Sequence, residues 1–179
     1  TNDQIRFIFP HAPVQAITVN GGMAMRAWYD IIAMDLQRVV DINGIYQSAA
    51  LIEQLIEREK QNGIAPENIL LAGFSQGGVI ALHLGLRYSE KLAGIVALST
   101  YLPTLPQLET EASNVAKELP IFMAHGILDS MVDVEAGKAV YDSLHQQGYH
   151  IQWHDYVMEH SVCIEEIDHL SQFINQIFK

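Results

Sequence analysis

A chain of 179 residues, 49% hydrophobic and only 17% charged, is long enough to bury one sizeable core, and its low charge suits a sheet covered on both faces. Its 21 acidic against 10 basic residues give a formal net charge of −11, which argues against nucleic acid as a partner and against electrostatic docking on anionic membranes. No apolar run approaches the ~20 residues that span a bilayer, so no stable membrane insertion is expected, and Cys163, the single cysteine, leaves no intrachain disulfide, which fits a reducing, cytoplasmic compartment.

The chain opens TNDQIRFIFP, with no Met, no basic n-region and no apolar signal segment. It enters a strand-like run at Ile5–Phe9 so early that a preceding segment is expected. Residues 10–30 carry two prolines and a glycine pair and read as an irregular, functional loop. Over 44–62, Ala49, Ile52, Leu55, Ile56 and Glu59 recur at helical spacing, and Gly63 ends the helix. Ile69–Ala72 reads as a short buried strand. Val79–Tyr88 is apolar almost all round, hence a buried helix. Leu92–Leu98 is a second apolar strand, and 101–119 an acidic segment with one weak helix. Then follow a strand at Pro120–Ala124, a helix at Val134–Gln147, a strand at His150–Val157 and a last helix over 163–178. Short apolar strands alternating with helices predict a single α/β domain over 1–179, its central sheet mainly parallel and flanked by helices on both faces.

Between the strand at 69–72 and the helix at 79 stands Gly73-Phe-Ser75-Gln-Gly77, the G-x-S-x-G pattern of a nucleophile elbow. A sharp strand-to-helix turn exposes the serine, and glycines two positions away on either side avoid a collision. Gln76, at the helix start, has a backbone N–H free for a developing oxyanion. A random chain of this composition would hold about 0.04 such pentapeptides, so the pattern with its strand and helix is specific. A serine hydroxyl needs a histidine base oriented by a carboxylate. In this fold the chain order is serine, acid, histidine, with each partner on a loop after a later strand. Asp129 follows PIFMA in HGILDSMVD, and His160 follows HIQWHDYV in MEHSV.

Rivals fit less well. Asp133 directly precedes a helix and suits an N-cap; Asp155 lies within a strand; His125 precedes Asp129 and breaks the order. His150 and His154 share a strand face too far apart to chelate one ion, so no metal is expected. Cys163 has no separate base spaced for it and reads as a structural thiol.

The stretches FPHAP, VNGGMAMRAWYD, ILLAGFSQGG, ALSTYLP, AHGILDSMV and YVMEHSVCIEEI, in that order, resemble the carboxylesterase/phospholipase family related to acyl-protein thioesterases. The resemblance runs from about residue 5 to the C-terminus. It implies an α/β-hydrolase that needs no cofactor and cleaves carboxylic esters, in some members thioesters of lipidated proteins or lysophospholipids. By the same resemblance Ser75 is the nucleophile, Asp129 the acid, His160 the base and Gln76 the source of one oxyanion N–H. Met23, Tyr101 and Leu102 would border the pocket for a small acyl-ester substrate.

The family's earlier strand and His-Gly-rich oxyanion loop have no counterpart here, so the chain reads as N-terminally incomplete relative to that family. A missing oxyanion donor costs ~10²–10³ in rate, and a missing strand leaves an edge open to another chain. A weak esterase is therefore expected, either homodimeric through that edge or rebuilt there by residues 10–30. The alternative is a catalytically impaired hydrolase fold that serves as a binding or oligomeric protein.

Overall fold

A computed structural model of the chain describes residues 5–32 and 39–179. Strands β3 (Leu70–Phe74), β4 (Gly94–Leu98), β5 (Ile121–Gly126) and β6 (Ile151–Tyr156) form one parallel sheet in the order β3-β4-β5-β6. Before it come a hairpin, β1 (Val14–Ile17) and β2 (Met23–Arg26), and helix α1 (Ile42–Gln61). The crossovers carry α2 (Gln76–Gly85), the one-turn α3 (Leu108–Glu111) and α4 (Val134–Gln146), and α5 (Ile164–Ile177) closes the chain.

The strands are apolar throughout because both faces of the sheet are covered. Ile95, Ala97, Ile121, Met123 and Ile151 turn to the side packed by α1, α2 and α4, with Ile45, Ala49, Val79, Leu82, Val140 and Leu144. Val96, Leu98, Phe122, Ala124 and Tyr156 turn to the other side, against Phe173 and Leu170 of α5. Each Ile, Leu or Phe fully withdrawn from water contributes ~1.5–3 kcal/mol, so α2, buried from Gly78 to Gly85, is a central stabilising element. Local signals set the helix ends. Asp41 caps α1 by accepting the Gly44 N–H at 2.9 Å, and Asp133 caps α4 by accepting the Glu135 N–H at 3.0 Å.

Two segments differ from the sequence-based expectation. Ile5–Phe9 forms no strand: Phe7 and Phe9 are exposed, and their rings stack on each other at 6.3 Å. High β-propensity produces a strand only where a neighbour supplies the ladder. Residues 10–30 are not irregular but fold around the antiparallel β1–β2 pair, with Val14 opposite Arg26 and Ile17 opposite Met23. The reversal uses Gly21 (φ 66°) and Gly22 (φ 80°), so Asn20-Gly21-Gly22 is a hairpin signal rather than loop punctuation. The hairpin is a separate two-stranded sheet and does not pair with β3. Among the described residues no helix is long and apolar enough to cross a membrane.

Candidate active site

β3 ends at Phe74 and α2 begins at Gln76, so Ser75 alone makes the reversal, at φ 54° and ψ −121°. That conformation costs ~1–3 kcal/mol in a residue other than glycine and persists only where its surroundings enforce it. Here they do. The Ser75 N–H donates to the Leu98 carbonyl at 2.9 Å, while the Ser75 carbonyl accepts from Thr100 Oγ1 at 2.7 Å and from the Val79 N–H at 3.2 Å.

The flanking glycines play unequal parts. A Cβ on Gly73 would stand 2.1 Å from the Gly77 carbonyl group, so only glycine fits there. A Cβ on Gly77 would meet only the indole nitrogen of Trp28, at 3.8 Å. The expected two-sided collision is therefore one-sided, because Gly73 faces the first turn of α2 whereas Gly77 lies beside a half-open space. Gly78, which the pattern does not mark, is the second tight position, 2.7 Å from the Thr100 side chain. At the start of α2 the backbone N–H of Gln76 has no intrahelical acceptor.

Asp129 and His160, the expected acid and base, stand on the loops that follow the neighbouring parallel strands β5 and β6. Their following loops are joined by the Ile127 N–H to Tyr156 carbonyl (2.9 Å) and the Leu128 N–H to Met158 carbonyl (3.0 Å). This pairing brings Asp129 Oδ2 to 2.7 Å from His160 Nδ1. The other oxygen, Oδ1, accepts the N–H groups of Met131 and Val132 at 2.9 Å each. Burial pushes the Asp129 carboxyl up, but the Val132 N–H, His160 and the Met131 N–H together hold it below its ordinary value. An ionised carboxylate only accepts, so His160 donates from Nδ1 and keeps Nε2 as an acceptor. The Asp129 side chain is fully buried and that of His160 is 20% exposed. The ring of Phe74, the residue before Ser75, packs 4.6 Å from the imidazole of His160. The Ser75 elbow after β3 and the bonded Asp129–His160 pair after β5 and β6 thus lie at the C-terminal edge of the same parallel sheet, where such sheets hold their ligands.

Other candidates sit elsewhere. Asp133 is occupied as the cap of α4, and Asp155 accepts from Trp153 Nε1 at 3.1 Å. His154 stacks on Phe122 at 4.8 Å, and among the described residues no three His, Cys, Asp or Glu side chains gather as a metal site. Cys163 is the half-buried residue at the N-cap of α5. Tyr101 and Leu102 follow the Ser99-Thr100 turn beside the elbow. Leu102 is buried in the core, and the buried Tyr101 hydroxyl lies against that of Tyr29. Met23 is 68% exposed on β2.

Three supporting groups were not legible in the sequence. Thr100 holds the Ser75 carbonyl. His125, fully buried, bonds the Val132 carbonyl through Nε2 at 2.9 Å, and that nitrogen lies 3.4 Å from Asp129 Oδ2, steadying the acid loop from beneath. The Gln76 carboxamide reaches residues 28 and 29, which no spacing rule connects to it.

The profile of the family described as phospholipase/carboxylesterase matches residues 1–178. Acyl-protein thioesterase 1 of Neurospora crassa is 42% identical over 187 residues, covering 97% of this chain and 74% of its own length. Acyl-protein thioesterase 1 of Mycosarcoma maydis is 37% identical, covering 97% and 78% respectively. Among solved structures, SOBER1 of Arabidopsis thaliana superposes with a TM-score of 0.90 at 30% identity, covering 96% of this chain and 83% of that one.

Proposed function

From the premise that the chain belongs to the phospholipase/carboxylesterase family and has an α/β-hydrolase fold, we propose that it is a serine hydrolase that cleaves carboxylic esters and thioesters through an acyl-enzyme. The observation that carries this reading is the 2.7 Å bond between His160 and a buried Asp129, beside a strained Ser75 whose neighbour Phe74 packs on the same imidazole.

In the first half-reaction Ser75 Oγ attacks the acyl carbon while His160 Nε2 takes the hydroxyl proton. The carbonyl oxygen becomes an oxyanion that accepts from the Gln76 N–H, and Asp129 stabilises the imidazolium. His160 then returns its proton to the departing alcohol or thiol, leaving Ser75 acylated. In the second half, water loses a proton to His160 and attacks the acyl carbon, and His160 returns that proton to Ser75 Oγ as the acid departs, which restores the serine hydroxyl. Met23, Tyr101 and Leu102 serve this reading as the border of an apolar acyl pocket. A pocket of that kind discriminates each methylene by only ~1–3 kcal/mol, so short and medium acyl chains are all substrates. The lone Cys163 fits action in a reducing, cytoplasmic setting.

The test is fluorophosphonate labelling with peptide mass mapping, beside turnover of p-nitrophenyl esters and acyl thioesters. Label on Ser75, lost in Ser75→Ala, is the expected result. Turnover that survives in Ser75→Ala would overturn the reading.

A further inference from the structure

The reaction above uses only the backbone N–H of Gln76, yet its side chain is bonded at both its oxygen and its nitrogen. Oε1 accepts the N–H of Trp28 and Nε2 donates to the carbonyl of Tyr29, both at 3.0 Å. A primary amide presents an acceptor and a donor in one plane, which matches the two backbone groups as a strand would. The gripped segment is anchored from α1 as well. Ser48 donates its hydroxyl proton to the Trp28 carbonyl, and Asp41 accepts the N–H of Asp30 at 3.1 Å. Ala27 and Tyr29 are buried on either side of a half-buried Trp28. The indole nitrogen of Trp28 is the nearest group to the space where a Gly77 side chain would stand. One carboxamide therefore joins the residue after Ser75 to an aromatic ring beside the elbow.

We propose that the Gln76 side chain is a positioning group: its carboxamide locks the first turn of α2 to the Trp28–Tyr29 backbone, which aims the Gln76 N–H at the oxyanion and holds the Trp28 indole as a wall of the acyl cleft beside Gly77. This rests on the serine-hydrolase reading of the site. Displacing an oxyanion donor by about 1 Å costs on the order of 10²-fold in rate, and the loss falls on kcat because the interaction belongs to the transition state.

Two substitutions test it. Gln76→Met keeps the length of the side chain and removes both hydrogen bonds, so kcat per titrated site falls roughly 10- to 100-fold with little change in KM. Gln76→Glu, when ionised, still accepts from Trp28 but turns an oxygen against the Tyr29 carbonyl. When protonated it regains a donor and copies glutamine. The kcat of Gln76→Glu relative to the unsubstituted enzyme therefore climbs as pH is lowered from 8 to 5, whereas that of Gln76→Met stays level. A structural residue alone would lower the melting temperature and leave both ratios flat.

A second readout needs no turnover. In a Trp153→Phe background Trp28 is the only tryptophan, and Gln76→Met then shifts its emission to the red and increases acrylamide quenching. Unchanged Trp28 emission, a kcat within threefold for Gln76→Met, or a flat ratio for Gln76→Glu would each overturn the clamp. Failure of Ser75 to label in the unsubstituted chain would instead overturn the catalytic reading, and the fluorescence would still decide the clamp.

Discussion

Replacing Asp129 with Asn changes one atom and should invert the protonation of the base. Oδ1 of Asp129 is fixed by two backbone N–H groups at 2.9 Å, and in the variant the amide oxygen keeps that place. The amide nitrogen is then turned to His160, 2.7 Å from Nδ1. An amide nitrogen can only donate, so His160 must accept at Nδ1 and carry its proton at Nε2. An imidazole in that tautomer cannot take the Ser75 proton. The corresponding change in a serine protease lowers kcat by ~10⁴ with the geometry intact, which is about 5.4 kcal/mol of barrier at 1.36 kcal/mol per decade. Stability should change far less, because both backbone hydrogen bonds survive. One bond to a charged group is lost, worth ~1.5–3 kcal/mol. At ~2–4 °C per kcal/mol for a chain of this size, that is a fall of roughly 3–12 °C in melting temperature. The assay is kcat for a p-nitrophenyl ester per fluorophosphonate-titrated site, beside a thermal melt. Asp133→Ala is the control: it loses a helix cap worth ~0.5–2 kcal/mol and keeps kcat. If Asp129→Asn kept kcat within tenfold, or Asp133→Ala abolished it, the tautomer argument and the assignment of the acid would both be wrong.

Further expectations rest on separate features of the fold. Ser75→Gly relieves the backbone held at φ 54°, so it should be inactive yet more stable by ~1–3 kcal/mol in a urea titration, and a loss of stability would show that the elbow is unstrained. Gly73→Ala drives a Cβ into the Gly77 backbone at 2.1 Å and should lower the urea midpoint severely, whereas Gly77→Ala, with 3.8 Å to its nearest neighbour, should fold nearly as well as the parent; equal effects would refute the one-sided collision. Burial, aided by Arg87, pushes buried His83 down to about 4 from its usual 6.5, so the unfolded chain binds an extra proton between those values and stability falls as pH falls through that window, by ~3 kcal/mol. Burial, only partly opposed by a backbone hydrogen bond from Cys163, pushes Glu166 up to about 7 from 4.5, so here the folded chain holds the extra proton and stability falls by ~3 kcal/mol as pH rises through that window. Between about pH 4.5 and 6.5 urea midpoints should therefore rise with pH more steeply in Glu166→Gln than in the parent and less steeply in His83→Gln; parallel slopes in the two variants would refute these opposed contributions.

What the sequence determined by itself was whatever short-range physics dictates. The alternation of apolar strands with helices, the buried α2, the cap at α4 and the serine reversal after Gly73 follow from periodicity, capping chemistry and steric limits within a few residues. The order Ser75, Asp129, His160 was legible too, since each lies just past an apolar run that could only be a buried strand. The tertiary structure decided which of these groups meet and what holds them. Ile5–Phe9 has the composition of a strand and pairs with no strand among the described residues, while Val14–Arg26 has the composition of a loop and closes on itself through Gly21 and Gly22. Asp129 reaches His160 across 31 residues only because β5 and β6 are parallel neighbours whose loops zip together. Gln76 reaches Trp28 across 48 residues and Tyr29 across 47 through hydrogen bonds that no local pattern encodes. Periodicity records which face of an element is buried; it carries no record of which distant backbone will come to lie against that face.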